Sequence, residues 1–454
     1  MARSGRRRKK NLPVEAVELT VNRMSHEGRG IASNGGKIAF IDGALPDERV
    51  AAKYINSRAS FDEMSVVEVL EANPDRVIPA CDYFGVCGGC SLQHLASEAQ
   101  IKFKQELLLE QLYHTAGVAA KNVQLIERQS SNAFHYRRKA RLAVRYVSKK
   151  GGILLGFREK HSSFITDMRD CEVLELQIAA LLNPLRDLLN GLHARMSIPQ
   201  FEVAAGFNIC GRPAVALVMR HLEPLCQSDL DAVRAFSESR DCEFYLQPGG
   251  VDSIHKIWPI DDGERLYYSL PEHDLKLAFH PVDFVQINEA VNRKAVNLAI
   301  ELLELHREDE VLDLFCGLGN FTLPIARRCK FVTGVEGSES MVARAEENAA
   351  FNSIENVSFY AANLYELTGK EFWYDRSFDK ILLDPPRSGA LEIIDWLARA
   401  KASKIVYISC NPATLARDTA SLLQKGYKLK QVGVMDMFPH TTHVESIAQF
   451  EREN

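Results

Sequence analysis

The chain has 454 residues, about three times a common domain length, so several domains are expected. Hydrophobic residues at 46% and charged residues at 25% exclude wholesale disorder, and the net charge of −5 excludes a uniformly cationic surface. No apolar run approaches the ~20 residues of a membrane helix, and the N-terminus is too basic for a secretory signal. A soluble, cytoplasmic chain with no membrane partner is expected. Residues 1–11 read as a basic, disordered tail carrying Arg3, Arg6, Arg7, Arg8, Lys9 and Lys10 without an acid. Such a tail either aids solubility or meets a polyanion.

Residues 12–70 read as a small all-β unit. Val14–Leu19, Lys37–Ile41 and Glu48–Tyr54 are strand-like, with turns at Glu27–Gly30, Asn34–Gly36 and Leu45–Asp47. Five short strands in so little chain predict an oligonucleotide-binding type of barrel. Gly28-Arg29-Gly30-Ile31 and Pro46-Asp47-Glu48 resemble the TRAM domain, a resemblance that implies RNA binding.

A central α+β domain is expected over 71–275. Cys81, Cys87 and Cys90 fall in a glycine-rich loop, a spacing that suits a metal centre. Cys171 is the best-placed fourth ligand. Spacing alone leaves zinc and an iron–sulfur cluster open. Further on, Phe134–Lys150 carries Arg137, Arg138, Lys139, Arg141, Arg145, Lys149 and Lys150 without an acid. Phe134, His135, Tyr136 and Tyr146 interleave rings that can stack on unpaired bases, although a solvated strand pair would look the same.

Over 276–454 strands and helices alternate as in an open parallel sheet. The predicted strands are Glu310–Phe315, Phe331–Glu336, Val357–Ala361, Lys380–Asp384, Lys404–Ser409, Val432–Phe438 and Val444–Phe450, with helices between the first five. The last two are too close for a crossover and predict an antiparallel hairpin. That combination is the Rossmann-like architecture of methyltransferases. Phe315-Cys316-Gly317-Leu318-Gly319-Asn320 makes a tight strand-to-helix turn, and Glu336 follows Gly317 by 19 residues, placed for a ribose diol. Asn363 at the third strand tip can meet an adenine. No third phosphate-facing glycine follows Gly319, which disfavours a dinucleotide; S-adenosylmethionine has no phosphate and does not need one.

Asp384-Pro385-Pro386-Arg387 looks like the Asp/Asn-Pro-Pro turn of nucleic-acid methyltransferases. Cys410, in Ser409-Cys410-Asn411-Pro412, ends a strand where a helix dipole favours the thiolate; a buried core cysteine is the alternative. A thiolate beside a methyl donor suits uracil. Adding it to C6 makes C5 nucleophilic, and a base must then remove the C5 proton. Glu445 is the candidate base and His443 its competitor.

Together with Phe284-Val285-Gln286-Ile287-Asn288 and His440-Thr441-Thr442-His443-Val444-Glu445, these motifs resemble the RNA uracil-C5 methyltransferase family. The resemblance implies that Gln286, Phe315, Asn320, Glu336, Asn363 and Asp384 line the S-adenosylmethionine site, with Cys410 the nucleophile and Glu445 the base. The barrel and the Cys81, Cys87, Cys90 and Cys171 set resemble the branch that carries a [4Fe–4S] cluster and methylates 23S ribosomal RNA. A monomer acting on an unpaired, flipped-out loop uridine is then expected. A non-catalytic RNA-binding factor would lack Cys410 or Glu445. A radical iron–sulfur enzyme would space its first two cysteines by three residues rather than five. A transfer-RNA uridine methyltransferase typically lacks the barrel and cysteine segments.

Overall fold

The structure, a computed structural model, describes residues 12–260 and 263–453, so the basic tail lies outside the described residues. The chain forms two compact units. One comprises the chain up to Gln100 together with His440–Thr442; the other comprises Ile101–Pro439 and the residues from His443 onward.

In the first unit, β1 (Val17–Met24), β2 (Gly30–Asn34), β3 (Lys37–Asp42), β4 (Arg49–Ser57) and β5 (Phe61–Glu71) close a barrel in the order β1-β2-β3-β5-β4. Alternate residues point inward, so Leu19, Val21, Ala39, Ile41, Val50, Ala52 and Met64 make its core. The first strand starts later than predicted, because Val14 is 85% exposed and the inward alternation begins near Leu19. Glu48 of the TRAM-like motif is a structural residue. Its carboxylate accepts from Arg76 and from the Leu45 and Asn73 amides, which hold it below the usual range against the cost of burial.

The second unit has two eight-stranded sheets. In chain order its strands begin with β6 (Gln124–Leu125), β7 (Lys139–Val147), β8 (Gly152–Gly156), β9 (Gln200–Phe207) and β10 (Pro213–Arg220). Next come β11 (Glu243–Gln247), β12 (His255–Trp258), β13 (Leu266–Leu270) and β14 (Leu275–Phe279). The central sheet runs β12-β11-β10-β9-β13-β14, with β7 pairing β8 and β9. The other sheet is built on β15 (Glu310–Leu314), β16 (Phe331–Glu336), β17 (Val357–Ala361), β18 (Lys380–Leu383) and β19 (Lys404–Ser409), all parallel. β20 (Tyr427–Met435) and β21 (Glu445–Arg452) complete it in the order β17-β16-β15-β18-β19-β21-β20-β6. Its inner strands are covered on both faces, which is why Ile381-Leu382-Leu383 and Ile405-Val406-Tyr407 are continuous buried runs.

Two predictions need correction. No helix joins β17 to β18. Residues 362–379 cross irregularly instead, sinking Leu364, Trp373 and Phe378 into the core, with Trp373 edge-on to Trp396 at 4.8 Å. The terminal hairpin is also shifted: β20 starts at Tyr427 and stops at Met435. Asp436 leaves the ladder because its carboxylate pairs with buried Lys104 at 2.6 Å. No helix among the described residues is long and apolar enough to cross a membrane.

Candidate active site

The strand tips of the parallel sheet carry the predicted groups. Leu314 ends β15 and the chain turns sharply, with Phe315, Gly317 and Gly319 all at positive φ. For a phenylalanine this is a strained conformation, of the kind that persists where surrounding structure enforces it. A Cβ on Gly317 would meet nothing within 4 Å, so the backbone there is open to an approaching ligand. Across the turn, Glu336 at the end of β16 accepts from the Gly317 amide at 3.1 Å and from the Ser338 amide at 3.1 Å. The predicted acid and the glycine turn are thus brought together. Phe315 stacks obliquely near Tyr365, at 5.9 Å between centroids. Asn363 is exposed just beyond β17, its Oδ1 accepting from the Tyr365 amide.

Asn320 differs in kind. Its side chain exchanges hydrogen bonds with Asn292 and accepts from the Tyr268 hydroxyl at 2.8 Å, which commits it to the scaffold. Asp313, not singled out as a site residue, lies fully buried under the turn with Thr322 donating to it at 2.5 Å. Burial, reinforced by Asp384 and Glu336, pushes its carboxyl up to about 8.

Cys410 follows β19 and Glu445 opens β21. In their antiparallel register Ser409 faces Ser446, so Cys410 and Glu445 are the next residues beyond that last pair, and the Glu445 charge acts on Cys410. Asp384 immediately follows the adjacent strand β18, and Asn411 Nδ2 donates to the Arg387 carbonyl at 3.1 Å, tying the two loops together. Asn411 also caps the helix Pro412–Gln424 by accepting from the Ala413 amide. The predicted nucleophile, base and Asp-Pro-Pro turn therefore share one strand-tip cluster.

The electrostatics of that cluster correct one expectation. Burial first, then the Glu445 and Asp384 carboxylates, push the Cys410 thiol up to about 11, overriding the helix end. Burial and Asp384 push Glu445 up to about 8, and burial pushes Asp384 to about 7. Arg387 opposes both the Cys410 and Glu445 shifts. His443, the competing base, accepts from Arg387 at 3.1 Å, and burial with the Arg387, Lys104 and Arg137 charges pushes it down to about 4. It is held neutral.

The basic ribbon 134–150 is only partly a surface. Arg138 is buried, its guanidinium 4.5 Å over the Tyr268 ring and 3.2 Å from Glu289. Its Nε donates to the Gln286 carbonyl at 2.9 Å and its amide to the Ile287 carbonyl, so Arg138 shapes the loop that carries Gln286. Tyr136 is buried and donates to the Pro439 carbonyl, Lys139 donates to the Asp283 carbonyl, and Arg141 pairs with Glu202. Arg145, Lys149 and Lys150 remain exposed. Along β7 the inward residues are Ala140, Leu142 and Val144, so Lys139, Arg141 and Arg145 share the other face, while Arg138 is buried just before the strand begins.

Of the predicted metal ligands, Cys81, Cys87 and Cys90 lie in one turn-rich loop of the first unit, and Cys171 lies buried in the second. The Gly89 amide points at Cys87 Sγ at 3.4 Å, an arrangement that suits a sulfur carrying negative charge. Elsewhere, His193, Cys226 and Asp229 also bring donor atoms within 4.8 Å of one another. There both Asp229 oxygens already accept backbone amides, from His193 and Ala194, so local capping accounts for the trio.

A sequence profile of the tRNA (Uracil-5-)-methyltransferase family matches residues 98–453. The chain is similar to the 23S rRNA (uracil(1939)-C(5))-methyltransferase of Alcanivorax borkumensis, 49% identical over 446 residues, covering 98% of this chain and 99% of the relative. It is 47% identical over 451 residues to that of Hahella chejuensis, at 98% and 99% coverage, and 46% over 449 residues to that of Legionella pneumophila, at 98% and 100%. Among solved structures it resembles the tRNA (uracil-54, C5)-methyltransferase of Pyrococcus abyssi in complex with S-adenosyl-L-homocysteine, with a TM-score of 0.71 and 22% identity. That likeness covers 96% of this chain and 100% of the other and is one of fold.

Proposed function

Since the chain belongs to the RNA uracil-C5 methyltransferase family, we propose that it transfers a methyl group from S-adenosylmethionine to C5 of one uridine in 23S ribosomal RNA. The near-full-length likeness to 23S rRNA enzymes favours ribosomal over transfer RNA. The observation that supports the reading is that Cys410 follows β19 and Glu445 opens β21, strands paired as far as Ser409 and Ser446, with the Glu445 and Asp384 charges acting on Cys410.

Bound S-adenosylmethionine supplies an electrophilic methyl on a cationic sulfonium. The chain's residues suit that charge: Asp313, Asp384 and Glu445 are carboxyls whose anionic forms burial disfavours, and Glu336 accompanies them. A cation bound among them lowers the pKa of each and of Cys410. Phe315, Gly317, Glu336 and Asn363 line the turn where the nucleoside part is proposed to sit, with Gln286 on the loop that Arg138 holds. Asn320 is proposed to act there through its place in the turn, since its side chain is occupied.

In the proposed sequence the Cys410 thiol gives up its proton to solvent and its sulfur bonds to uracil C6. The C5–C6 π electrons move to make an enolate, and C5 bonds to the methyl carbon as its bond to the sulfonium sulfur breaks, which leaves a neutral thioether. Glu445 then accepts the C5 proton as the C6–S bond breaks and returns the thiolate. Neither C5 nor C6 can be reached in a stacked base, so the uridine is flipped out at a cost of a few kcal/mol. RNA contacts elsewhere supply that energy. The barrel, in a TRAM-like role, and Arg145, Lys149 and Lys150 are the proposed sources. Cys81, Cys87, Cys90 and Cys171 would hold a [4Fe–4S] cluster. Four thiolates leave no open iron, which suits a structural role. The enzyme is proposed to act as a cytoplasmic monomer.

The test is the reaction with 5-fluorouridine RNA. A covalent enzyme–RNA complex is expected, because fluorine cannot leave as a proton; active enzyme that forms none would exclude the thiolate route. Mapping 5-methyluridine in cells lacking the gene separates a ribosomal from a transfer-RNA target.

A further inference from the structure

The segment that leads into β21 is gripped by a hydrogen-bond network that the chemistry above does not use. We propose that Gln100, acting through His440, is a positioning residue for the Glu445 carboxylate; this rests on the reading of Glu445 as the base.

Every backbone polar group of His440 is taken. Its amide donates to Gln100 Oε1 at 2.7 Å, and its carbonyl accepts from two successive amides, Ser91 at 2.8 Å and Leu92 at 2.9 Å. Its ring Nδ1 lies 3.1 Å from Gln100 Nε2. Gln100 is fully buried, and the same Nε2 donates to the carbonyls of Leu95 at 2.7 Å and Leu92 at 3.1 Å, which fixes its rotamer. Two residues on, a Cβ at Gly28 would stand 2.7 Å from Thr442 Cγ2, so Thr442 sits in a slot that only a glycine leaves open. Residues 440–442 are thus clamped on several sides.

What the clamp enforces is a conformation. His440 has φ +66°, a left-handed state disfavoured for a non-glycine residue. Such a residue reverses the chain and persists only when surroundings over-determine it. The reversal sets the direction in which 441–444 run into β21, and Glu445 is the first residue of that strand. Cys410 hangs from the other side of the reaction, on the loop between β19 and the helix Pro412–Gln424, which is held by hydrogen bonds among Ser409, Asn411 and Arg387. Loosening the clamp therefore acts directly on the residues leading into Glu445, and on Cys410 only through the β19–β21 ladder.

That asymmetry gives a signature. With Gln100→Ala, C6 addition and methyl transfer proceed but removal of the C5 proton slows, so methylated covalent complex accumulates on ordinary uridine RNA. A fall in kcat of roughly tenfold is expected from a displaced catalytic group. The denaturation-resistant protein–RNA complex should rise several-fold, and S-adenosylmethionine affinity should stay within about twofold by calorimetry. His440→Ala, which keeps Gln100 but removes the ring interaction, should lie between wild type and Gln100→Ala in both readouts. It also serves as the test should Gln100→Ala fail to fold. Glu445→Gln is the reference. If it accumulates complex and the folded clamp variants do not, the positioning role is overturned. If Glu445→Gln itself accumulates none, the assignment of the base fails instead. Parallel losses of cofactor affinity, complex and kcat would mark Gln100 as a general structural residue and also overturn the proposal.

Discussion

The tips of the parallel sheet and the basic ribbon both bury charge, and they differ in the partners the chain supplies to it. At the tips, Asp313, Asp384 and Glu445 are desolvated without an adequate counter-ion, and their carboxyls are pushed up to about 8, 7 and 8. In the ribbon, burial disfavours the Arg138 charge as well, but there Glu289, two aromatic faces and the Gln286 carbonyl supplied by the chain oppose that cost. Buried charge with its partners in place is scaffold. Buried charge left short of them is where a ligand of opposite sign belongs.

The sharpest break of that comparison is on the tip side. Cys410→Ala should lower methylation at least ~10³-fold while S-adenosylmethionine still binds, and should leave no 5-fluorouridine adduct on a denaturing gel. Glu445→Gln should follow at ~10²–10⁴-fold in kcat, with covalent complex accumulating on natural RNA. On the ribbon side the loss should be of folding. Arg138→Ala removes one partner of a buried pair and strips the Gln286 carbonyl of its donor, so unfolding in urea should show a stability loss of about 3–5 kcal/mol.

The next effect is smaller and tests the field at the tips. In the proposed mechanism Glu445 acts as a base in its ionised form, so kcat/KM should rise with pH through about 8. Arg387 holds that value down; Arg387→Met should therefore move the rising limb to higher pH, by up to about one unit. A limb that stays put would mean that another group titrates. The smallest effect is expected at the ribbon's exposed end. Replacing Arg145, Lys149 and Lys150 with glutamine should leave the melting temperature unchanged and lower the salt slope of RNA binding by ~0.7–0.9 for each phosphate no longer neutralised.

How much of this the sequence disclosed follows the range of the interactions. The glycine turn with Glu336, and the strands Phe331–Glu336, Val357–Ala361 and Lys404–Ser409, were legible to the residue because local hydrophobic runs and turn chemistry define them. Cys410 and Glu445 could be named from chemical need, although only the β19–β21 pairing brings the ends of their strands together. The interior fate of Arg138 and Tyr136 was hidden, because a basic-aromatic strand reads alike whether its inward residues meet solvent or carbonyls from 148 and 303 positions away. The missing helix before β18 was hidden for a similar reason: Trp373 finds Trp396 only in the folded core. Gln100 carries no local signal, since its partner is 340 residues distant.

The position of β21 bears on how the protein is made. It lies inside the sheet, between β19 and β20, yet it is the latest of the sheet's strands in chain order. As the polypeptide leaves the ribosome, β19 and β20 emerge with a gap between them that nothing earlier in the chain fills, and β6 must wait through most of synthesis for its neighbour β20. Closure of the sheet and arrival of Glu445 are one event. A chain that stops short of β21 therefore lacks both Glu445 and the central ladder that would bury its core, so incomplete copies expose apolar surface and are open to proteolysis.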